Sequence, residues 1–294
     1  MKKSIWISVF LILGLVSSQA FAGATVSCEK KAENKLKRNK RVTFDYGDAA
    51  TASGDSANAY GVACHDTPKW QRLGSKWDVD NVNTVEAGSD DSTDDGVNWR
   101  TSSDGGVSWT DFGTTADVTQ GDLVEFQFEF TRIEKGNHQF DELKAWVDWD
   151  QDVNWNNDDE VIQHVRWYKD QDATDTEDRN GTWHNKDLSN VYGEAVYNNT
   201  DTQRTYTQLI EVPLDAALGE TWLRARVVCE NSLRSYSPGL VMDATGYQHQ
   251  GEVEDYALTV LAKRSEPPVS VPEPAGILLL SSGLFVLMAR RKNV

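Results

Sequence analysis

Val124, Phe126, Phe128 and Phe130 alternate with Glu125, Gln127 and Glu129. A period of two puts every apolar side chain of an extended segment on one face, so this stretch reads as a strand with one buried side. Residues 143–148, 161–168, 204–213, 221–229 and 254–261 are likewise rich in Val, Leu, Ile, Thr and aromatic residues and read as strands. Between them lie segments dominated by Asp, Asn, Gly and Thr, such as 88–96 and 170–181, and no stretch carries a long period of 3.6. The pattern predicts an all-β fold, an antiparallel β-sandwich with long acidic loops. With 39% apolar and 26% charged residues the composition is that of a globular chain, and 294 residues accommodate one such domain of about 200 residues with segments to spare at both ends.

Those ends read as addresses. Lys2 and Lys3 precede an apolar run over 5–16, and Ala20-Phe21-Ala22 supplies a small-x-small cleavage site. Residues 1–22 are therefore expected to be a secretory signal peptide removed by signal peptidase, with an N-terminal membrane anchor as the alternative. At the other end Pro272-Glu273-Pro274 is followed by an uncharged stretch, 275–289, and by Arg290-Arg291-Lys292. Fifteen helical residues span about 22 Å, short of a hydrocarbon core of ~30 Å, so the stretch is a marginal span whose basic end would stay in the cytoplasm. This tripartite tail, residues 271–294, resembles the PEP-CTERM sorting signal. The resemblance implies a Gram-negative bacterium, an exosortase that recognises and removes the tail after transient membrane insertion, and a destination at the cell surface or in an extracellular, exopolysaccharide-rich matrix. A permanent single-pass anchor is the alternative.

The formal net charge is −17, and the two ends contribute five basic residues against Glu273 alone, so residues 23–270 are more acidic still. Such a surface repels phosphate backbones, and nucleic acid is excluded as a partner. Basic residues nevertheless concentrate in one place: Lys30, Lys31, Lys35, Lys37, Arg38, Lys40 and Arg41. They mark residues 23–41 as a basic arm, a solvated tether or a contact to anionic lipid or polysaccharide. The sandwich is expected over 42–262, followed by a linker over 263–270.

An exported chain forms disulfides, and three Cys permit one. Cys64 and Cys229 fall in the predicted domain and Cys28 in the arm, so Cys64–Cys229 is the expected bridge. A shorter signal is the echo of Asp94-Asp95-Gly96-Val97-Asn98-Trp99 in Asp104-Gly105-Gly106-Val107-Ser108-Trp109, which predicts a hairpin of two short strands. The second copy also resembles, weakly, the Asp-box turn of sialidase-type propellers.

The residues with the clearest chemistry follow a predicted strand. Asp148, Asp150 and Asp152 alternate, then come Asn154, Asp158, Asp159 and Glu160, giving six carboxylates in thirteen residues. Oxygen ligands at positions 1, 3 and 5 of a tight loop, closed by a later carboxylate, suit a hard cation such as Ca2+. Asp148, Asp150, Asp152 and Asn154, with Asp159 or Glu160 closing the shell, are the candidate ligands; a solvated acidic loop is the alternative.

Gly251-Glu252-Val253-Glu254-Asp255-Tyr256 stands near the end of the predicted domain. Taken with Asp45-Tyr46-Gly47-Asp48-Ala49, Asp90-Asp91, Asp94-Asp95-Gly96-Val97, Trp146-Val147-Asp148-Trp149-Asp150-Gln151-Asp152 and Thr221-Trp222-Leu223-Arg224-x-Arg226-Val227, it resembles the GEVED domain of bacterial surface proteins. The resemblance implies a β-rich extracellular module with calcium-binding acidic loops and no established catalytic activity; its pattern has Gly after the third loop carboxylate, where this chain has Val153, whose β-branch resists the positive φ such a turn often needs. Nothing in the sequence singles out a nucleophile with its base or a paired acid and base, and His65, His138, His164, His184 and His249 have no metal-ligand spacing. The expected function is a non-enzymatic, calcium-binding protein of the cell surface or biofilm matrix. The alternative is a carbohydrate-active protein, either a glycan-binding module or a polysaccharide hydrolase, in which Trp155 or Trp183, if exposed, could stack on sugar rings, although Trp in a sandwich is more often a core residue.

Overall fold

The computed structural model describes residues 28–38, 44–49, 60–66, 70–77, 94–132, 139–155, 160–169, 191–197, 200, 202–237 and 240–264. The signal peptide and the tail bearing Pro272, Glu273, Pro274, Arg290, Arg291 and Lys292 lie outside them. Among the described residues no helix is long and apolar enough to cross a membrane. The chain divides into two units, Met1–Ala262 and Lys263–Val294, and every described element belongs to the first.

In chain order the elements are α1 (Cys28–Lys37), β1 (Asp45–Tyr46), β2 (Ala63–His65), β3 (Gln71–Leu73), β4 (Val97–Ser102), β5 (Val118–Thr119), β6 (Leu123–Arg132) and β7 (Phe140–Val147). There follow β8 (Val161–Tyr168), β9 (Val191–Tyr197), β10 (Gln203–Glu211), β11 (Gly219–Cys229), α2 (Glu230–Tyr236), β12 (Gly246–Gln248) and β13 (Glu252–Leu261). The fold is all-β, as the alternation predicts. One sheet runs β3-β6-β10-β9, with β4 on the same edge of β6 as β3; the other runs β5-β13-β11-β7-β8. A small third sheet, β1-β2-β12, is separate from both.

The two large sheets share one apolar core. Val124, Phe126, Phe128 and Phe130 of β6 are fully buried in it, together with Leu223, Ala225 and Val227 of β11 and Tyr256, Leu258 and Val260 of β13. Residues of β11 at even positions point the other way, as a period of two requires. On that outer face Trp222 joins Trp146, Trp155, Leu233 and Met242 in a second cluster, so the sheet carrying β11 is buried on both sides. Full burial on both faces explains why β11 reads from Trp222 to Cys229 as an apolar run broken only by two arginines.

Three expectations change. The bridge joins Cys28 to Cys64 and leaves Cys229 as a buried thiol, instead of linking Cys64 to Cys229. Cys28 does not lie in an extended tether: it opens α1, is 2% exposed, and packs with Phe44, Tyr46 and Tyr247 against β2, its Cα 6.0 Å from that of Cys64. Cys229 ends β11, where its Sγ donates to Gln250 Oε1 at 2.9 Å and burial pushes its pKa up. The echo at 104–109 forms no second strand. Asp104 Oδ1 instead accepts the N–H groups of Val107 and Ser108 and the Ser102 hydroxyl, closing a turn that follows β4. Trp155 takes the core role and is no exposed platform: it is 7% exposed, its ring tilted against that of Tyr60 and its Nε1 donating to the Tyr60 carbonyl at 3.0 Å. Trp183 lies outside the described residues.

Peptide mapping of the exported protein without reduction is expected to recover a Cys28–Cys64 cross-linked pair, with Cys229 alkylated only after unfolding. A peptide pair containing Cys229 would contradict this packing.

Candidate functional site

The acidic loop is the connection of the β7–β8 hairpin. Antiparallel register brings Trp146 opposite Val161, with a shift between Ala145 and Trp146, so the residue just after β7 and the residue just before β8 meet although twelve positions separate them. That is how Asp148 and Glu160 come together. One carboxylate oxygen from each of Asp148, Asp150, Asp152 and Glu160 lies within 4.8 Å of the other three. Asp148 and Glu160 are buried; Asp150 and Asp152 are exposed. Of the other candidate ligands, Asn154 follows on the same loop, and Asp159 lies outside the described residues.

The loop is wound on its own carboxylates. Asp152 N–H donates to Asp148 Oδ1 at 3.2 Å and to Asp150 Oδ1 at 3.1 Å, Val153 N–H to Asp148 Oδ2 at 3.2 Å, and Asn154 N–H to Asp152 Oδ1 at 3.0 Å. Such Asx turns orient the acidic side chains inward and fix the path of the chain. Outside contacts anchor it: Ala217 N–H donates to the Trp149 carbonyl at 2.7 Å, and the Thr221 hydroxyl donates to that of Asp148. Burial raises the Asp148 pKa to about 6, opposed by a hydrogen bond with Tyr60 and by the Val153 N–H and reinforced by Asp150. Burial and the neighbouring Asp148 in turn push the Tyr60 phenol well above its ordinary range. Four converging oxygen donors with a desolvated carboxylate at their base fit a hard divalent cation, which would offset a repulsion that the loop's own hydrogen bonds relieve only in part.

Gln151 and Val153 both adopt positive φ, 57° and 67°. Val153 thus takes the conformation its β-branch resists, and the turn forms without the expected Gly.

A second set of buried carboxylates sits at the start of β13. Glu252 and Asp255 are 0% exposed and Glu254 1%. Leu73 N–H donates to Glu252 Oε2 at 2.7 Å, Asp95 N–H to Glu254 Oε1 at 3.1 Å, and Gly96 N–H to both Glu254 oxygens at 3.2 Å. Arg224 binds Asp255 through two parallel bonds of 2.8 Å, and Ala49 N–H donates to Asp255 Oδ2 at 2.7 Å. In return Val253 N–H donates to Asp45 Oδ2 at 2.8 Å and Asp255 N–H to Asp94 Oδ2 at 3.2 Å. Next to Arg224, Arg226 donates to the carbonyls of Asp243, Thr245 and Gly246 and to His65 Nε2. Burial, with Arg224 close by, lowers the Arg226 pKa to about 9. Burial and Arg226 also hold His65 well below its usual pKa, so its ring is neutral, with Nδ1 donating to the Gln250 carbonyl at 2.7 Å.

These carboxylates fasten distant segments to β13, each accepting backbone N–H groups or the Arg224 guanidinium. The signal that could have shown this is the opposed charge of two otherwise apolar strands, Arg224-x-Arg226 beside Glu252-Val253-Glu254-Asp255, whose register places Arg224 opposite Asp255. Gly251 is fixed by the same geometry: its φ is +97°, and a Cβ there would lie 1.8 Å from the Val227 carbonyl oxygen.

Residues 142–259 match the family model of the GEVED domain, a span from within β7 to near the end of β13 that contains both the acidic loop and the Glu252–Asp255 cluster. The segments around Asp45 and Asp94 lie N-terminal to that span, yet they supply the carboxylates that cap β13. No curated protein matches the chain. A solved structure described as "AvmM Catalyzes Macrocyclization in Alchivemycin A Biosynthesis" aligns with 54% of this chain and 88% of its own at 10% identity. Its TM-score is 0.26, too low to bear on fold or function.

Two outcomes follow from the strain and the burial. Val153→Gly removes a partly buried side chain, a loss of about 1–2 kcal/mol, but relieves left-handed strain of about the same size. Urea unfolding should place it within about 1 kcal/mol of the parent, whereas Val227→Gly, with ordinary strand geometry at full burial, should cost several. Burial raises the Glu254 pKa to about 8, against the donors that surround it. Between the ordinary carboxylate range and pH 8 the folded chain therefore holds a proton that the unfolded chain has released, and stability falls as pH rises through this window. The melting temperature should drop from pH 5 to pH 8 by more in the parent than in Glu254→Gln; equal slopes would show that Glu254 is ionised throughout.

Proposed function

We propose that the protein is a non-enzymatic, calcium-stabilised β-sandwich of the cell surface or extracellular matrix, associated with exopolysaccharide or biofilm. The carboxylate quartet carries this reading. Asp148, Asp150, Asp152 and Glu160 would hold the ion, with Asn154 and Asp159 as further oxygen donors from the same loop. Calcium supplies positive charge there: it neutralises converging carboxylates and ties both ends of the β7–β8 connection to one point. The acids of β13 speak against hydrolysis, because Glu252, Glu254 and Asp255 are committed to backbone N–H groups and to Arg224. The GEVED match and the tail motif support export: signal peptidase would cut after Ala22, and an exosortase would remove 271–294.

Thermal unfolding in calcium and in chelator tests the reading. Calcium at about a hundred times its dissociation constant stabilises the folded state by roughly 2.7 kcal/mol, which in a domain of this size raises the melting temperature by roughly 5–10 °C. The Asp148→Asn/Asp152→Asn double variant should lose that shift. Identical melts of the parent in both buffers, with no calorimetric binding up to several millimolar, would reduce the quartet to a solvated acidic loop.

A further inference from the structure

Away from the acidic loop, α1 forms one wall of a concavity of about 350 Å3. Lys31, Asn34 and Arg38 line it at spacings of three and four, one face of the helix and its first residue beyond. The opposite wall is Asp66, Tyr236, Tyr247 and His249, brought there by β2, α2 and β12. The Cys28–Cys64 bridge pins the first residue of α1 to β2, so the disulfide holds the two walls together. Lys31 Nζ lies 4.6 Å and 4.4 Å from the ring centroids of Tyr236 and Tyr247 and donates to the Tyr236 hydroxyl at 3.3 Å. His249 Nδ1 is 2.6 Å from Asp66 Oδ1, which engages the one carboxylate among the described lining residues.

What remains uncommitted is cationic and polar. Among the described residues Arg38 and Asn34 are exposed and have no hydrogen-bond or ion-pair partner. In a chain of net charge −17 this local excess of positive charge stands out against a field that repels anions, so an anion bound here is held by the pocket itself. Arg38 offers a planar fork for a carboxylate, and Lys31 a point charge. The Asn34 amide and the remaining His249 nitrogen suit hydroxyl groups beside such a carboxylate, and the volume fits one or two sugar units. A bare phosphate would leave most of those groups unused.

We propose that this pocket binds a uronate, the acidic sugar unit of an anionic polysaccharide. The site gives the exopolysaccharide association a place on the molecule, and rests on that reading only for the polymer's source. Calorimetric titration of the full, oxidised chain in chelator tests it, because calcium bridging at the acidic loop is then absent and the two readings fail separately. Galacturonate is expected to bind with a dissociation constant on the order of 1 mM. Arg38→Gln, an exposed position whose melting temperature should not move, should weaken it at least tenfold. Reducing the disulfide should do the same while the sandwich core remains folded. The proposal is overturned if galacturonate does not bind, if galactose or inorganic phosphate binds as tightly, or if Arg38→Gln and the reduced chain bind it unchanged.

Discussion

Among the described residues the first half of β13 has a neighbouring strand on one side only. β11 pairs with it from Glu252 to Val260, but β5 reaches it only at Val260 and Leu261, so the outward N–H groups of Val253 and Asp255 face no strand. Asp45 and Asp94 take those two N–H groups on their carboxylates, and the strand's own acids take N–H groups from residues 49, 73, 95 and 96. Unpaired backbone donors are costly when buried, and this exchange satisfies both parties at once. Three segments distant in sequence are thereby fastened to one strand, and the rest of the architecture hangs on that edge.

The exchange concentrates negative charge inside the protein, and two buried arginines answer it. Arg224 pairs bidentately with Asp255, and Arg226 reaches four carbonyl and imidazole acceptors. Removing one partner of such a buried pair typically costs 3–5 kcal/mol, far more than a surface ion pair contributes. Glu254 has no such cation among the described residues: its neighbours there are N–H groups, the Tyr256 hydroxyl and Asp95, which is why burial prevails and its carboxyl holds a proton to higher pH.

The acidic loop is built differently. Its carboxylates bond to N–H groups of their own loop, two of them exposed, and its path includes a Val at positive φ. The hairpin of β7 and β8, a buried Tyr60 and the Trp155 ring supply the rigid base on which this strained, charged segment stands. Strain and unbalanced charge on a rigid hairpin are what a bound cation would resolve.

The sequence alone determined the class of fold. The alternation in β6 and the β-branched, aromatic character of β7, β8, β10, β11 and β13 place these strands to within a few residues, since side-chain period is a local property of an extended chain. It also determined the acidic loop, because Asp148, Asp150 and Asp152 sit two apart on a turn whose ends a hairpin must bring together. Tertiary structure decided the rest. Cys28 pairs with Cys64 because a helix folds back onto β2, and no spacing of three cysteines encodes that return. In sequence Glu252, Glu254 and Asp255 stand as a motif without partners. Only the register of β13 against β11, and the arrival of residues 45, 49, 73 and 94–96 at its open edge, turn them into buried acceptors, because a hydrogen-bond partner two hundred residues away is set by packing and not by the local chain.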